Sequence, residues 1–115
     1  MKPAPFDYVA ATDLSEALDA LHDGGSDARV IAGGQSLVPM LNMRLARPTT
    51  LVDITRIPEL SRIEAKGDQI VIGAAVRQAT LESWPDLADR LALPDFERRA
   101  LRNGSIPCEL ILGRI

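Results

Sequence analysis

Apolar residues recur at helical spacing from Leu14 through Ala17, Leu18 and Leu21, which predicts an amphipathic helix carrying all four on one face. Asp13 with Glu16 three residues later makes a capping-box-like start, and Gly24 and Gly25 stop the helix. Arg29 to Ala32 reads as a buried strand. Ser36 to about Leu45 reads as a short helix with Ser36 near its N-cap, where Pro39 is tolerated because it falls in the first turn. Arg47-Pro48 closes that helix, and Thr50 to Ile54 is a second β-type run. Strand, short helix and strand together predict a βαβ crossover with parallel strands.

A different pattern begins near Leu60. Ser61 to Ala65 and Gln69 to Gly73 are strand-like and are joined by Lys66-Gly67-Asp68, so a hairpin is expected. Thr80 to Trp84 and Asp86 to Leu93 read as helical, separated by Pro85, with Trp84 on the apolar face. Asp95 to Arg102 reads as a further helix stopped by Asn103-Gly104. The fold class that follows is α+β: a small βαβ unit over residues 1–55, then a hairpin and helices over residues 56–115 that begin a second lobe of one domain.

Composition narrows the functional classes. The chain has 115 residues, 46% hydrophobic and 25% charged, with a net charge of -3, and is sized for one core. That charge lends no support to nucleic-acid binding, and Arg44, Arg47, Arg98, Arg99 and Arg102 read as scattered solvated positions. No apolar stretch approaches the roughly 20 residues that span a bilayer. The N-terminus lacks a basic-then-apolar layout, so a cytoplasmic location is expected. Cys108 is the single cysteine, which excludes an internal disulfide or a thiolate cluster within the chain. His22 is the single histidine, and its expected role is a favourable charge at a helix C-terminus, with no metal site.

The segment with the most chemical content is Arg29-Val30-Ile31-Ala32-Gly33-Gly34-Gln35-Ser36-Leu37, where an apolar run stops at two glycines and restarts as a helix. Glycines let the backbone approach a ligand closely, and N–H groups ahead of a helix can converge on a phosphate oxygen. Gln35 and Ser36 add side-chain donors. The same diglycine also serves as an ordinary tight connection, so the pattern alone leaves both readings open. A full Gly-x-Gly-x-x-Gly fingerprint is absent, which argues against a nicotinamide-dinucleotide Rossmann domain.

Three motifs in order carry a family resemblance: Lys2-Pro3-Ala4-Pro5-Phe6-Asp7-Tyr8, then Ala32-Gly33-Gly34-Gln35-Ser36-Leu37, then Leu45-Ala46-Arg47-Pro48 to Leu51-Val52-Asp53-Ile54. Together they resemble the FAD-binding medium subunit of molybdenum hydroxylases of the carbon monoxide dehydrogenase and xanthine dehydrogenase type. The likeness runs in register to about Pro85, through Ile57-Pro58-Glu59-Leu60 and Ile72-Gly73-Ala74. It implies the N-terminal part of a PCMH-type FAD-binding domain. It also implies FAD as cofactor and two partners, a molybdopterin-containing large subunit and an iron–sulfur small subunit.

By the same resemblance, electrons pass from iron–sulfur clusters through FAD to an external acceptor. Arg29, Val30 and Ile31 would flank the adenosine part, Ala32, Gly33, Gly34, Gln35 and Ser36 would hold the pyrophosphate, and Leu37 would pack beside the cofactor. No catalytic acid or base is nominated, since this role needs none.

The chain departs from the family pattern near its end. The family has a second glycine loop, echoed here by Leu101-Arg102-Asn103-Gly104-Ser105-Ile106-Pro107-Cys108, but Pro107 and Cys108 stand where a glycine pair belongs. Proline has no N–H and cysteine carries a side chain, so the same amide cradle is not expected there. An alternative expectation follows, a truncated docking or oligomerisation module that no longer holds FAD.

Overall fold

The computed structural model describes residues 2–67 and 69–84. The expected helices Asp86–Leu93 and Asp95–Arg102, the Leu101–Cys108 segment, Pro85 and Cys108 lie outside the described residues.

The chain divides into two compact units, Met1–Arg62 with Gly73–Ala75, and Ile63–Ile72 with Val76–Ile115. The first unit is built on three parallel strands, β1 (Asp7–Ala10), β2 (Ala28–Ile31) and β3 (Thr50–Asp53), in the order β1-β3-β2. The βαβ crossover predicted from the sequence is present as β2, the short helix α2 (Leu37–Asn42) and β3. Strand β1 carries no pattern that betrays it. It has four residues, lies at a sheet edge and leaves Asp7 and Tyr8 exposed, so it shows no apolar run.

Helix α1 (Leu14–Gly24) links β1 to β2. The Asp13 carboxylate accepts the Glu16 N–H at 2.8 Å, and Glu16 reaches one residue past the usual capping box to accept the N–H and hydroxyl of Thr12 at 2.9 and 3.1 Å. One orphan donor of the helix, the Glu16 N–H, is thereby satisfied, and Thr12 just ahead of the cap is tied to the first turn. Four apolar residues were expected on the buried face, but only part of that stripe is covered. Ala17 is buried and Ala20 and Leu21 are partly buried, whereas Leu14 is exposed and Leu18 is 57% exposed. The reason is that the helix meets a sheet of only three short strands. Its small residues approach the strands, and the outer leucines run past them. Gly24 sits so close to the sheet that a Cβ there would lie 2.7 Å from that of Ala28.

The core of this unit joins Ala11, Ala17, Val52, Ile54 and Ile57, with Leu60 and Ala75 packed against it. Side chains alternate along a strand, so Ala28, Val30, Thr50 and Val52 face α1 while Arg29, Ile31, Leu51 and Asp53 face the other way. Gly34 is enclosed by the side chains of Val38 and Ile31, which puts the first turn of α2 on the Ile31 side of the sheet.

In the second unit, β4 (Ile63–Lys66) and β5 (Gln69–Ile72) form the expected antiparallel hairpin, with Ile63 opposite Ile72 and Lys66 opposite Gln69. Helix α3 (Gln78–Glu82) begins two residues earlier than expected; its Leu81 is buried, and Trp84 just beyond it is half-buried. Among the described residues no helix is long and apolar enough to cross a membrane.

Candidate functional site at the carboxyl ends of the strands

All three parallel strands end together. The Ala11 N–H donates to the Asp53 carbonyl at 3.1 Å and the Ile54 N–H donates to the Ile31 carbonyl at 3.1 Å, so residues 53 and 54 join both neighbouring strands at their carboxyl ends. The loop Ala32–Ser36 leaves the sheet at this edge. Open parallel sheets bind ligands beyond the carboxyl ends of their strands.

The two glycines differ in what they answer to. Gly34 has φ of +74°, and a Cβ there would meet Val38 Cγ2 at 2.9 Å, so the fold itself demands glycine at this position. At Gly33 a Cβ would find no heavy atom within 4 Å. Among the described residues nothing requires a glycine there, and the space beside it is open to an outside group.

Helix α2 starts in an unusual way. The Val38 N–H donates to the Gly34 carbonyl at 2.9 Å, but Pro39 has no N–H to give Gln35, so regular helix begins only at Leu37. Ser36 occupies the N-cap position, as predicted, yet its hydroxyl makes no capping bond. Among the described residues, the N–H groups of Gly33, Gly34, Gln35 and Ser36 make no hydrogen bond within the chain. Gln35 and Ser36 are exposed, and residues 29–52 contain no aspartate or glutamate. Unspent donors and open space fit an anionic group such as a pyrophosphate.

The flanking residues fall less uniformly. Arg29 turns towards the start of β2, donating from Nη1 to the carbonyls of Ser26 and Ala28 at 2.6 and 2.8 Å. Val30 and Ala32 are exposed, while Ile31 and Leu37 are half-buried.

A side-chain network gave no separate signal in the sequence beyond membership of two quoted motifs. The Tyr8 hydroxyl donates to the Asp53 carboxylate, whose other oxygen accepts the Thr55 N–H at 2.8 Å and the Thr55 hydroxyl at 2.7 Å. Partial burial pulls the Asp53 carboxyl upward; the Tyr8 and Thr55 hydrogen bonds and the nearby Arg56 charge outweigh it and hold the group below the usual carboxylate range. The same bond to Asp53, with desolvation and the carboxylate charge, raises the Tyr8 hydroxyl. Asp53 stands opposite Ile31, close in register to the glycine loop. No group of three or more histidine, cysteine, aspartate or glutamate side chains able to hold a metal is found among the described residues.

Comparison with known proteins gives the family. A family described as the FAD binding domain in molybdopterin dehydrogenase matches residues 4–106. The chain is 50% identical over 93 residues to the 6-hydroxypseudooxynicotine dehydrogenase complex subunit alpha of Paenarthrobacter nicotinovorans, covering 81% of this chain and 31% of that protein. It is 45% identical over 93 residues to the carbon monoxide dehydrogenase medium chain of Hydrogenophaga pseudoflava, covering 81% and 32%. Among solved structures, quinoline 2-oxidoreductase from Pseudomonas putida 86 superposes with a TM-score of 0.74 at 36% identity, covering 88% of this chain and 34% of that one.

The chain therefore belongs to the family of FAD-binding domains of molybdopterin dehydrogenases, whose cofactor is FAD. It spans about a third of the length of the curated relatives it matches.

Proposed function

We propose that this chain holds FAD through the Ala32–Ser36 loop and serves as the flavin-bearing part of a molybdenum hydroxylase. The observation that carries this reading is Gly33, a glycine that the fold does not need, facing open space beside four unspent N–H groups. Ala32, Gly33, Gly34, Gln35 and Ser36 receive the pyrophosphate, Arg29 to Ile31 flank the adenosine, and Leu37 packs beside the cofactor. FAD, when bound, supplies the redox chemistry, passing electrons from iron–sulfur clusters of a partner to an external acceptor. The chain's own residues bind and orient it. The partners on this reading are a molybdopterin-containing large subunit and an iron–sulfur small subunit, as the medium-chain relatives suggest.

An FAD titration followed by quenching of flavin fluorescence tests the reading. Saturable binding that Gly33→Val abolishes, with the far-ultraviolet circular dichroism unchanged, is the expected result. Affinity unaltered by Gly33→Val overturns the loop assignment. A folded chain that binds no FAD supports the second reading, a docking module, which the Pro107-Cys108 pair in place of the family's second diglycine favours.

A further inference from the structure

The Asp53 carboxylate draws three segments together at the carboxyl end of the sheet. One oxygen accepts the hydroxyl of Tyr8 from the neighbouring strand β1. The other accepts the Thr55 N–H at 2.8 Å and the Thr55 hydroxyl at 2.7 Å, a side-chain turn that bends the chain around Ile54. Register sets Tyr8 opposite Leu51 and Asp53 opposite Ile31, so all four side chains share one face of the sheet.

Inside that turn lies the peptide that anchors the glycine loop. The Ile54 N–H donates at 3.1 Å to the Ile31 carbonyl, which belongs to the peptide from which the loop departs. Ile31 passes the placement on. A Cβ at Gly34 would lie 3.6 Å from Ile31 Cδ1 and 3.9 Å from Cγ1, so the Ile31 side chain supports Gly34, whose carbonyl accepts the Val38 N–H at 2.9 Å at the start of α2. Gly33 adds no restraint of its own, since among the described residues no atom stands where its Cβ would be. A cradle of amides gains affinity from being held in place before its ligand arrives.

We propose that Tyr8, Asp53 and Thr55 are positioning residues for this loop: their hydrogen bonds hold the Ile54 N–H on the Ile31 carbonyl and thereby fix where Ala32–Ser36 presents its free N–H groups. None of the three needs to touch a ligand. The consequence for FAD affinity rests on the proposed function, whereas the clamp itself is a property of the free chain.

Two measurements on the full chain test it, amide hydrogen exchange without FAD and FAD titration, each on Tyr8→Phe, Asp53→Ala and Asp53→Asn. Tyr8→Phe and Asp53→Ala should speed exchange at the Ile54 and Val38 N–H groups about tenfold, the effect of one lost bond to a charged acceptor. The Thr49 N–H, bonded at 3.0 Å to the Asp27 carbonyl at the amino ends of the strands, should change far less. The same two variants should weaken FAD binding about tenfold, with Asp53→Asn between them and the parent because its amide oxygen still accepts from Thr55. Exchange that is unchanged at Ile54 and Val38, or that rises equally at Thr49, overturns the proposal, as the network would then support the whole unit and not the loop. Parent-like FAD affinity in Tyr8→Phe and Asp53→Ala overturns it too, provided that Gly33→Val abolishes binding. If the parent chain binds no FAD, or Gly33→Val binds it unaltered, the loop assignment is what fails, and the exchange rates alone decide the positioning role. Tyr8→Phe, which removes one hydroxyl from a half-exposed ring, reads the same clamp if Asp53→Ala does not fold.

Discussion

The hydroxyl of Tyr8, on an edge strand, donates to the carboxylate of Asp53 at the end of the central strand, and so links the sequence motif around Phe6-Asp7-Tyr8 to the one around Val52-Asp53-Ile54. Asp53 titrates below its ordinary range in the folded chain, so its contribution to stability is present above the unfolded pKa and is lost as pH falls through the folded one. Tyr8 is shifted the other way. Its contribution is present below the unfolded tyrosine pKa and is lost as pH rises through the raised folded value. Tyr8→Phe should therefore lower the urea midpoint at neutral pH, and the gap from the parent chain should close at acid pH once Asp53 is protonated. Paired urea melts across pH check this; a gap that persists unchanged in acid would show that the bond is not its source.

Much of the fold is legible in the sequence, for physical reasons that can be named. Asp13 and Glu16 carry capping chemistry in their own side chains, and the hairpin follows from two β-rich runs around Gly67. Strand β1 is not legible, because a four-residue edge strand owes its existence to pairing with Thr50–Asp53 and not to its own pattern. The exposure of Leu18 is also hidden, since helical periodicity names a face without saying how wide the sheet beneath it is. At the site, the glycine loop announces itself, but the difference between Gly33 and Gly34 depends on how the folded backbone brings the Val38 and Ile31 side chains against one glycine and not the other.

That difference separates folding from binding. Gly34→Ala places a Cβ against Val38 at a left-handed position and should cost about 1–2 kcal/mol of stability. Gly33→Ala meets no atom of the chain, so its unfolding midpoint should stay within about 0.5 kcal/mol of the parent. On the proposed function, Gly33→Ala nonetheless weakens FAD binding, because its methyl occupies the space left for the pyrophosphate. Chemical denaturation and flavin titration on the same two variants distinguish the effects. Equal stability losses at both positions would remove the basis for reading Gly33 as a ligand-facing glycine.

Gly73 is the tightest approach among the described glycines. A Cβ there would lie 2.2 Å from the Leu60 carbonyl oxygen, within a stretch tied by the Gly73 N–H to Arg62 and the Ala75 N–H to Leu60, both at 2.9 Å. Backbone cannot swing aside as a long side chain can. Gly73→Ala should cost about 3 kcal/mol or more, and thermal denaturation should show either a large fall in midpoint or no cooperative transition. A variant as stable as the parent would mean that these two backbone segments separate without penalty.

Arg44 ends α2 at φ of +56°, its N–H donating to the Leu41 carbonyl at 3.0 Å and the Leu45 N–H to the Met40 carbonyl at 2.9 Å, the two bonds of a Schellman motif. A left-handed backbone disfavours a residue with a Cβ, and glycine at the same place in the Schellman motif carries no such penalty, so Arg44→Gly relieves strain of about 1 kcal/mol. Against this stands the single exposed bond from Arg44 Nε to the Lys2 carbonyl, at 3.2 Å too long and too open to solvent to offset it fully. The glycine variant should therefore melt higher than the parent by a few degrees. Thermal denaturation of the two chains checks this; a variant that loses stability would show that the bond to Lys2 outweighs the backbone strain.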